Sequence, residues 1–472
     1  MRDFNLKIGL EIHQQLDTGK LFCRCPCIIK DENPDFKIKR FLRTSASELG
    51  EIDQAALHEY KKGKHFIYES YSDVNCLIEI DEEPPKELNH HALNITLQVS
   101  LLLNARPVDQ IQFMRKIVID GSNVSGFQRT ALIATNGYIE TSEGKINIPT
   151  ICLEEESAKK IEDTEEYRIY NLSRLGIPLI EIATSPDIKS PEGAKEAAEK
   201  LGMVLRSVKG LRRGLGSIRQ DINLSVKNTS RVEIKGFQDL RSIPKVAEYE
   251  IQRRLKIIES GKTPEAEVRK AEPDLTTSFL RPMPGAQRMY VETDVPVIKI
   301  TKKLLDSLEL PIILDKQIES LEEKYKLNPD LAREIIKEEV PFENFVKEYK
   351  KIEPNTIAQI LVEIPKEIKS RLKLDPTKLK ESDFNQLFEL IQTNKISKSL
   401  ALDVLVEIIN TGKIDLSKYE TISLEELEKG IKNIIEKNKG ASFGALMGEA
   451  MKLYKGKSDP KLISELVKKY SQ

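Results

Sequence analysis

The sequence has no tryptophan, only five cysteines among 472 residues, and almost no net charge, with a formal value of -1. An odd, small number of cysteines in a long chain argues against a disulfide framework. Near-neutrality excludes binding of nucleic acid through a global positive field, so any such binding rests on local basic patches. No apolar run approaches membrane-spanning length; stretches such as Val99 to Leu103 are far too short. The first residues show no basic segment leading into an apolar one, which predicts a cytoplasmic protein. A phosphate loop of the Walker type is also missing: Gly261-Lys262-Thr263 and Gly456-Lys457-Ser458 have Lys256 and Met451 where the motif wants glycine.

What is present is a charged globular composition, 39% hydrophobic and 32% charged with a mean hydropathy of -0.38. Lys, Glu and Ile are abundant, a balance that suits work at high temperature. The length exceeds one core, so several domains are expected. Strand-like runs occur at Leu6–Leu16, Lys116–Asp120, Ile146–Leu153, Pro178–Ala183 and Ile218–Val226. Helical patterns at Ser190–Lys209 and Lys245–Ser260 interleave with them. After about residue 300 glycine thins out and apolar residues recur at helical spacing, beginning with Leu304, Leu308 and Ile312. A polar break follows at Thr411-Gly412-Lys413. Ser423 with Glu426 then reads as a capping box, and Asp459 as the N-cap of a final helix. The fold class is α+β: a mixed-sheet body over 1–298, a helical domain over 299–410 and a small helical tail over 411–472.

Candidate chemistry lies on the strands. Alternation along Leu6–His13 places Glu11 and His13 on one face, roughly 6–7 Å apart, either as an ordinary solvated face or as a shared cation or substrate site. Glu181 stands alone in an apolar strand and needs water, a metal or a basic partner, Arg174 being one choice. Leu153-Glu154-Glu155-Glu156 puts three carboxylates behind an apolar strand, as solvated surface or near a divalent ion. The glycine-containing turns Gly121–Arg129 and Arg212–Arg219 pair exposed backbone N–H groups with arginine. Cys23, Cys25 and Cys27, with Cys76 joining in space, form either a thiolate zinc site or a set of spectator thiols. Cys152 reads as a core residue. Lys452, Lys455, Lys457 and Lys461 mark a phosphate-contacting patch or a solvated helix face.

Together, Ile8-Gly9-Leu10-Glu11-Ile12-His13, Leu153-Glu154-Glu155-Glu156, Pro178-Leu179-Ile180-Glu181-Ile182, Gly216-Ser217-Ile218-Arg219-Gln220-Asp221 and Glu233-Ile234-Lys235 resemble the B/E subunits of tRNA-dependent amidotransferases. Asp81-Glu82-Glu83-Pro84-Pro85 and Tyr290-Val291-Glu292-Thr293-Asp294 are most similar to the archaeal E-type members. The chain departs from that pattern in having only a short connection between Arg269 and Arg281, where E-type members carry an aspartyl-tRNA-synthetase-like insertion. The resemblance implies a cradle kinase domain, a helical domain and a YqeY-like tail that docks tRNA. It further implies ATP-dependent phosphorylation of the γ-carboxylate of glutamate on tRNA(Gln), then amidation with ammonia from an asparaginase-like D subunit in a hetero-oligomer. By the same resemblance Glu11, His13, Glu155 and Glu181 are the Mg²⁺ and catalytic set. Arg115, Lys116, Ser125, Gln128, Arg219 and Lys235 contact ATP or the aminoacyl end, and Cys23, Cys25, Cys27 and Cys76 bind zinc. The alternatives are a non-catalytic tRNA-binding scaffold, or a bacterial-type B subunit working with an amidase on Glu-tRNA(Gln) or Asp-tRNA(Asn).

Overall fold

The computed structural model describes all residues except 1–4, 45–49, 51, 53, 215, 228, 238, 284–288, 339, 416–418, 420–423, 439, 455–457, 459 and 472. Ser423, Lys455, Lys457 and Asp459 therefore lie outside the described residues. The chain forms two compact units, Met1–Ile313 and Leu314–Gln472.

The first unit is built on an eleven-stranded sheet. Its order is Thr277–Pro282, Glu267–Ala271, Val232–Phe237, Ile218–Ser225, Lys7–Gln15, Pro178–Ala183, Gly144–Glu155, Phe127–Thr141, Phe113–Ile117 and Met289–Val291, with Arg106–Pro107 also paired to Phe127–Thr141. Pairing is antiparallel except between Val232–Phe237 and Glu267–Ala271. The expected alternation decides which face is buried. Ile8, Leu10 and Ile12 enter the core beside Leu153, Ile180, Ile182, Ile222 and Leu224. Helices His90–Leu102, Pro191–Ser207 and Ile243–Glu259 cover that face through Leu93, Ala194, Ala197, Leu201, Val246 and Ala247. Pro191–Ser207 starts where the sequence has Ser190 before Pro191: the Ser190 hydroxyl accepts from Gly193 N–H, and proline fills a first-turn position whose N–H needs no partner. The opposite sheet face carries the polar residues.

The strand expected at Lys116–Asp120 instead spans Phe113–Ile117 and gives way to a loop at Val118. The loop is closed by Val118 N–H donating to Gly126 O at 2.9 Å, and Asp120 turns it by accepting from Ser122 N–H. Gly121 is required there: its φ is +91°, and an added Cβ would lie 2.1 Å from the Phe66 ring. A second, four-stranded sheet (Phe36–Arg40, His65–Ser70, Tyr167–Asn171, Lys159–Asp163) backs this loop. From it, Tyr170 Oη and Arg168 Nη1 both donate to Asp120 O.

The pattern beginning at Leu304 yields only the short helix Lys302–Asp306, and Leu304, Leu305, Leu308 and Ile313 pack on the first unit's core. Helices then run from Leu314–Tyr325 to Ala401–Thr411, which ends on Gly412 in the left-handed conformation at φ +74°. Three further helices, Leu424–Lys437, Phe443–Tyr454 and Pro460–Tyr470, enclose their own core of Leu427, Ile431, Ile434, Leu446, Ala450, Ile463, Leu466 and Val467.

Candidate functional site

Because Leu10 and Ile12 point into the core, Glu11 and His13 point out of it, and sheet register supplies their neighbours. His13 sits opposite Glu181 on one side and Arg219 on the other; Glu11 sits opposite Asp221. One strand further out, Cys152 and Glu154 lie opposite Glu181 and Leu179. The outcome is a cleft of ≈ 400 Å³ lined by Glu11, His13, Lys116, Gln128, Glu154, Arg219, Asp221 and Lys235. Asp120, Ser122, Arg174 and Arg281 also line it, as does Glu156, which pairs with Arg219 at 3.1 Å.

Glu11, His13 and Glu181 each offer one donor atom within 4.8 Å of the others. His13 Nε2 is 3.4 Å from Glu11 Oε1 and 3.5 Å from Glu181 Oε2. Burial and the nearby Glu181 charge push the Glu11 pKa up. Burial disfavours a charged His13, yet its hydrogen bond and charge contact with Glu181, aided by Glu11, raise its pKa above the ordinary value. Glu181 is also buried, but Lys116 and His13 hold its carboxyl well below the usual range. Lys116 Nζ bridges Glu154 Oε1 at 2.6 Å and Glu181 Oε2 at 3.5 Å. The Glu181 partners are thus Lys116 and His13; Arg174 instead donates to the Ser157 and Ala158 carbonyls.

Glu155 does not join this group. Leu153 points into the core, so alternation sends Glu154 to the cleft and Glu155 back across the sheet. There Glu155 accepts from Arg129 N–H at 3.2 Å, beside Glu292, which is fully buried between Arg129 and Arg115. Arg115 stands on this side as well, its guanidinium 4.7 Å from the Phe127 ring centroid. Glu154 takes the place in the cleft, accepting from Lys116, Gln128 and Thr130. The Ser125 hydroxyl donates to Phe127 O in the loop and is not among the lining residues. Cys152 faces the cleft side, half-buried opposite Glu181, and not the core. Sequence reasoning took Glu155 from the trio Glu154-Glu155-Glu156 and did not single out Asp221 or Glu233; the parity of Leu153 and of Arg219-Gln220-Asp221 carried the signal.

The thiols divide. Cys23, Cys25 and Cys76 gather with Glu79, one donor atom from each within 4.8 Å. Cys27 is absent from this group; it is buried, with its pKa pushed up to about 12 by that burial. Cys23 Sγ donates to Glu79 Oε1 at 2.9 Å, and Cys76 N–H donates to Glu79 Oε2 at 2.7 Å. The contact with Cys23 lowers the Cys76 pKa to about 7. Lys20, 1% exposed, places Nζ 3.5 Å from Glu79 Oε1 and has no hydrogen-bond partner among the described residues. Among the tail lysines, Lys452 lies in Phe443–Tyr454 and Lys461 in Pro460–Tyr470.

No helix among the described residues is long and apolar enough to cross a membrane. The family model described as GatB/GatE catalytic domain matches residues 6–306, and one described as GatB domain matches residues 341–470. The chain is similar to the E-type subunit of the glutamyl-tRNA(Gln) amidotransferase of Methanocaldococcus jannaschii, 36% identical over 98% of both chains. It is likewise 36% identical to the corresponding protein of Methanosarcina barkeri, over 99% of this chain and 98% of that one. The first alignment has 617 positions against 472 residues here, so at least 145 positions of the relative face a gap. The short connection between Arg269 and Arg281 is a tight turn between paired strands, with Glu272 N–H donating to Thr276 O. With a catalytic-domain match across the sheet that carries the cleft and relatives aligned almost end to end, this chain belongs to the GatB/GatE family.

Proposed function

We propose that this chain is the ATP-using subunit of a hetero-oligomeric amidotransferase that converts glutamate on tRNA(Gln) to glutamine. The observation that carries the reading is the single sheet face on which Glu11, His13 and Glu181 converge beside Lys116 and Arg219. Two carboxylates and an imidazole suit a hard divalent ion that retains water, so Glu11, His13 and Glu181 would hold Mg²⁺. When bound, Mg²⁺ would supply positive charge that offsets the negative charge of phosphate and carboxylate oxygens. Glu154 replaces Glu155 in the cleft, fixing the Lys116 ammonium and the Gln128 amide toward the phosphates. Arg219 and Lys235 face the same space, while Arg115 and Ser125 act away from it.

The γ-carboxylate oxygen attacks the terminal phosphorus of ATP, the bond to ADP breaks, and an acyl phosphate forms. Ammonia then attacks the carbonyl carbon of this acyl phosphate; the C–N bond forms, the C–O bond breaks, and phosphate and one proton are released. Carboxylate oxygen is a poor leaving group, and phosphate is a good one. Ammonia comes from an asparaginase-like D subunit, the protein works in the cytoplasm, and residues 411–472 dock tRNA. The proposed catalytic domain is 1–298 and the helical domain 299–410, with 299–313 packed on the former. Zinc fits Cys23, Cys25 and Cys76 with Glu79 as fourth ligand, because the buried Lys20 ammonium offsets the excess negative charge of such a set.

Purified chain, ATP, glutamyl-tRNA(Gln) and free ammonium test the reading. Glutaminyl-tRNA is expected from the wild type and not from Glu11→Ala. Bound tRNA without product, even with the D subunit added, would favour a scaffold.

A further inference from the structure

One wall of the cleft comes from outside the strands that carry Glu11 and Glu181. The helix Gln54–Tyr60 contributes Ala56 and Glu59 to the lining, and loop 118–126 contributes Asp120 and Ser122. Ala56 is buried with Ile117 and Ile119, which seats the helix beside the start of the loop. Glu59 is held by charge. Burial would raise its pKa, but the hydrogen bond from Lys62 and the Arg168 charge bring it below the ordinary carboxylate value.

Arg168 stands on the strand Tyr167–Asn171 of the four-stranded sheet and does not itself line the cleft. Its Nη1 donates to Glu59 Oε2 at 2.9 Å and to Asp120 O at 3.1 Å. Its Nε donates to Asp163 Oδ1 at 2.9 Å. The residue is 9% exposed, so these contacts are shielded from water. Each acceptor also has a second donor: Lys62 for Glu59, Lys64 for Asp163, and the Tyr170 hydroxyl for Asp120 O. Loss of the guanidinium therefore strands none of them, the circumstance that makes removing a buried cation most costly. What the guanidinium adds is a rigid link. Its planar fork fixes Glu59 relative to the Asp120 carbonyl, which the single nitrogen of a lysine does not reproduce.

We propose that Arg168 is a positioning residue, a clasp that holds the helix Gln54–Tyr60 against loop 118–126 and so sets the cleft wall that meets the nucleotide. This rests on the reading of the cleft as the ATP site.

Hydrogen–deuterium exchange of the full chain, with steady-state kinetics of glutaminyl-tRNA formation from free ammonium, tests it. In Arg168→Lys the amides of 54–60 and 118–126 should exchange about tenfold faster, both together, as expected for loss of a charge-assisted hydrogen bond. Those of Ile218–Ser225 should keep wild-type protection. The KM for ATP should rise about tenfold with kcat within about twofold, the pattern of lost ground-state positioning. Arg168→Met should behave alike; if it does not fold, Arg168→Lys decides alone. Wild-type exchange in either segment would overturn the clasp, and so would an unchanged KM. Faster exchange across Ile218–Ser225 as well would mark a merely structural arginine and overturn it too. No ATP turnover in the wild type would instead remove the ATP reading, and the exchange pattern would then decide the clasp by itself.

Discussion

Replacing Glu181 by Gln removes one negative charge from the Glu11–His13–Glu181 group while keeping the size of the side chain. Lys116 retains Glu154 at 2.6 Å, so its ammonium stays paired. His13 loses more, because Glu181 Oε2 at 3.5 Å is its strongest support for holding a proton. At an effective dielectric of ~20, Coulomb's law bounds that contact at about 5 kcal/mol, and local reorganisation leaves a fraction of it. A fall in the His13 pKa follows. The sign matters. With a raised folded pKa, protonated His13 stabilises the metal-free protein below its unfolded value, and that stability is lost as pH rises through the folded one. A divalent ion needs the imidazole lone pair, so wild-type metal affinity rises with pH over the same window. The variant frees the imidazole at lower pH but lacks a carboxylate ligand. Its Mn²⁺ affinity should be weaker by ~100-fold, about 3 kcal/mol, near pH 8, with a deficit that shrinks toward about pH 6. Calorimetric Mn²⁺ titrations across that range measure both effects. Equal affinities near pH 8 would remove Glu181 from the ligand set, and parallel pH curves would remove its hold on the His13 proton.

Other substitutions probe the two sides of the sheet. Glu154→Gln should abolish tRNA-dependent ATP turnover in a folded protein, whereas Glu155→Gln should leave Mn²⁺ affinity within about threefold, since the proposed ligand group is on the other face; calorimetry checks the second. Glu292→Gln breaks the ion contacts that the fully buried Glu292 makes with Arg115 and Arg129 and should cost about 3–5 kcal/mol in urea unfolding. A loss below about 1 kcal/mol would show that the pairing contributes little. Purified protein should contain one zinc per chain by mass spectrometry of the metal, absent after Cys76→Ser and retained after Cys27→Ser; the reverse pattern would restore Cys27 as ligand.

Local order in this sequence is easy to see because it depends on near neighbours. Leu6 to Leu16 alternates, and the strand is Lys7–Gln15; Ser190-Pro191 announces a helix start, and the helix begins there. Glu11, His13 and Glu181 were legible as candidates because charged groups interrupt apolar strands. Their convergence was not, since it depends on register between residues some 170 positions apart, such as His13 opposite Glu181. Glu155 against Glu154 was a question of parity: one residue of shift sends a side chain through the sheet. Leu153 carried the answer. Cys27 was misplaced for a similar reason, because proximity in sequence to Cys23 and Cys25 does not fix where a thiol points. Glu79, three residues after Cys76, reaches the cluster from a turn that no periodic pattern marks.

The proposed phosphorylation of the substrate's own carboxylate beside Glu11, His13 and Glu181 can be followed by its oxygen atoms. The substrate is glutamyl-tRNA(Gln) with both γ-carboxylate oxygens labelled with ¹⁸O, incubated with the protein, ATP and ammonium. One ¹⁸O is expected in the released inorganic phosphate and one in the amide, with neither product formed by Glu181→Gln. Inorganic phosphate free of ¹⁸O alongside glutaminyl-tRNA would mean that the carboxylate is activated by some other route.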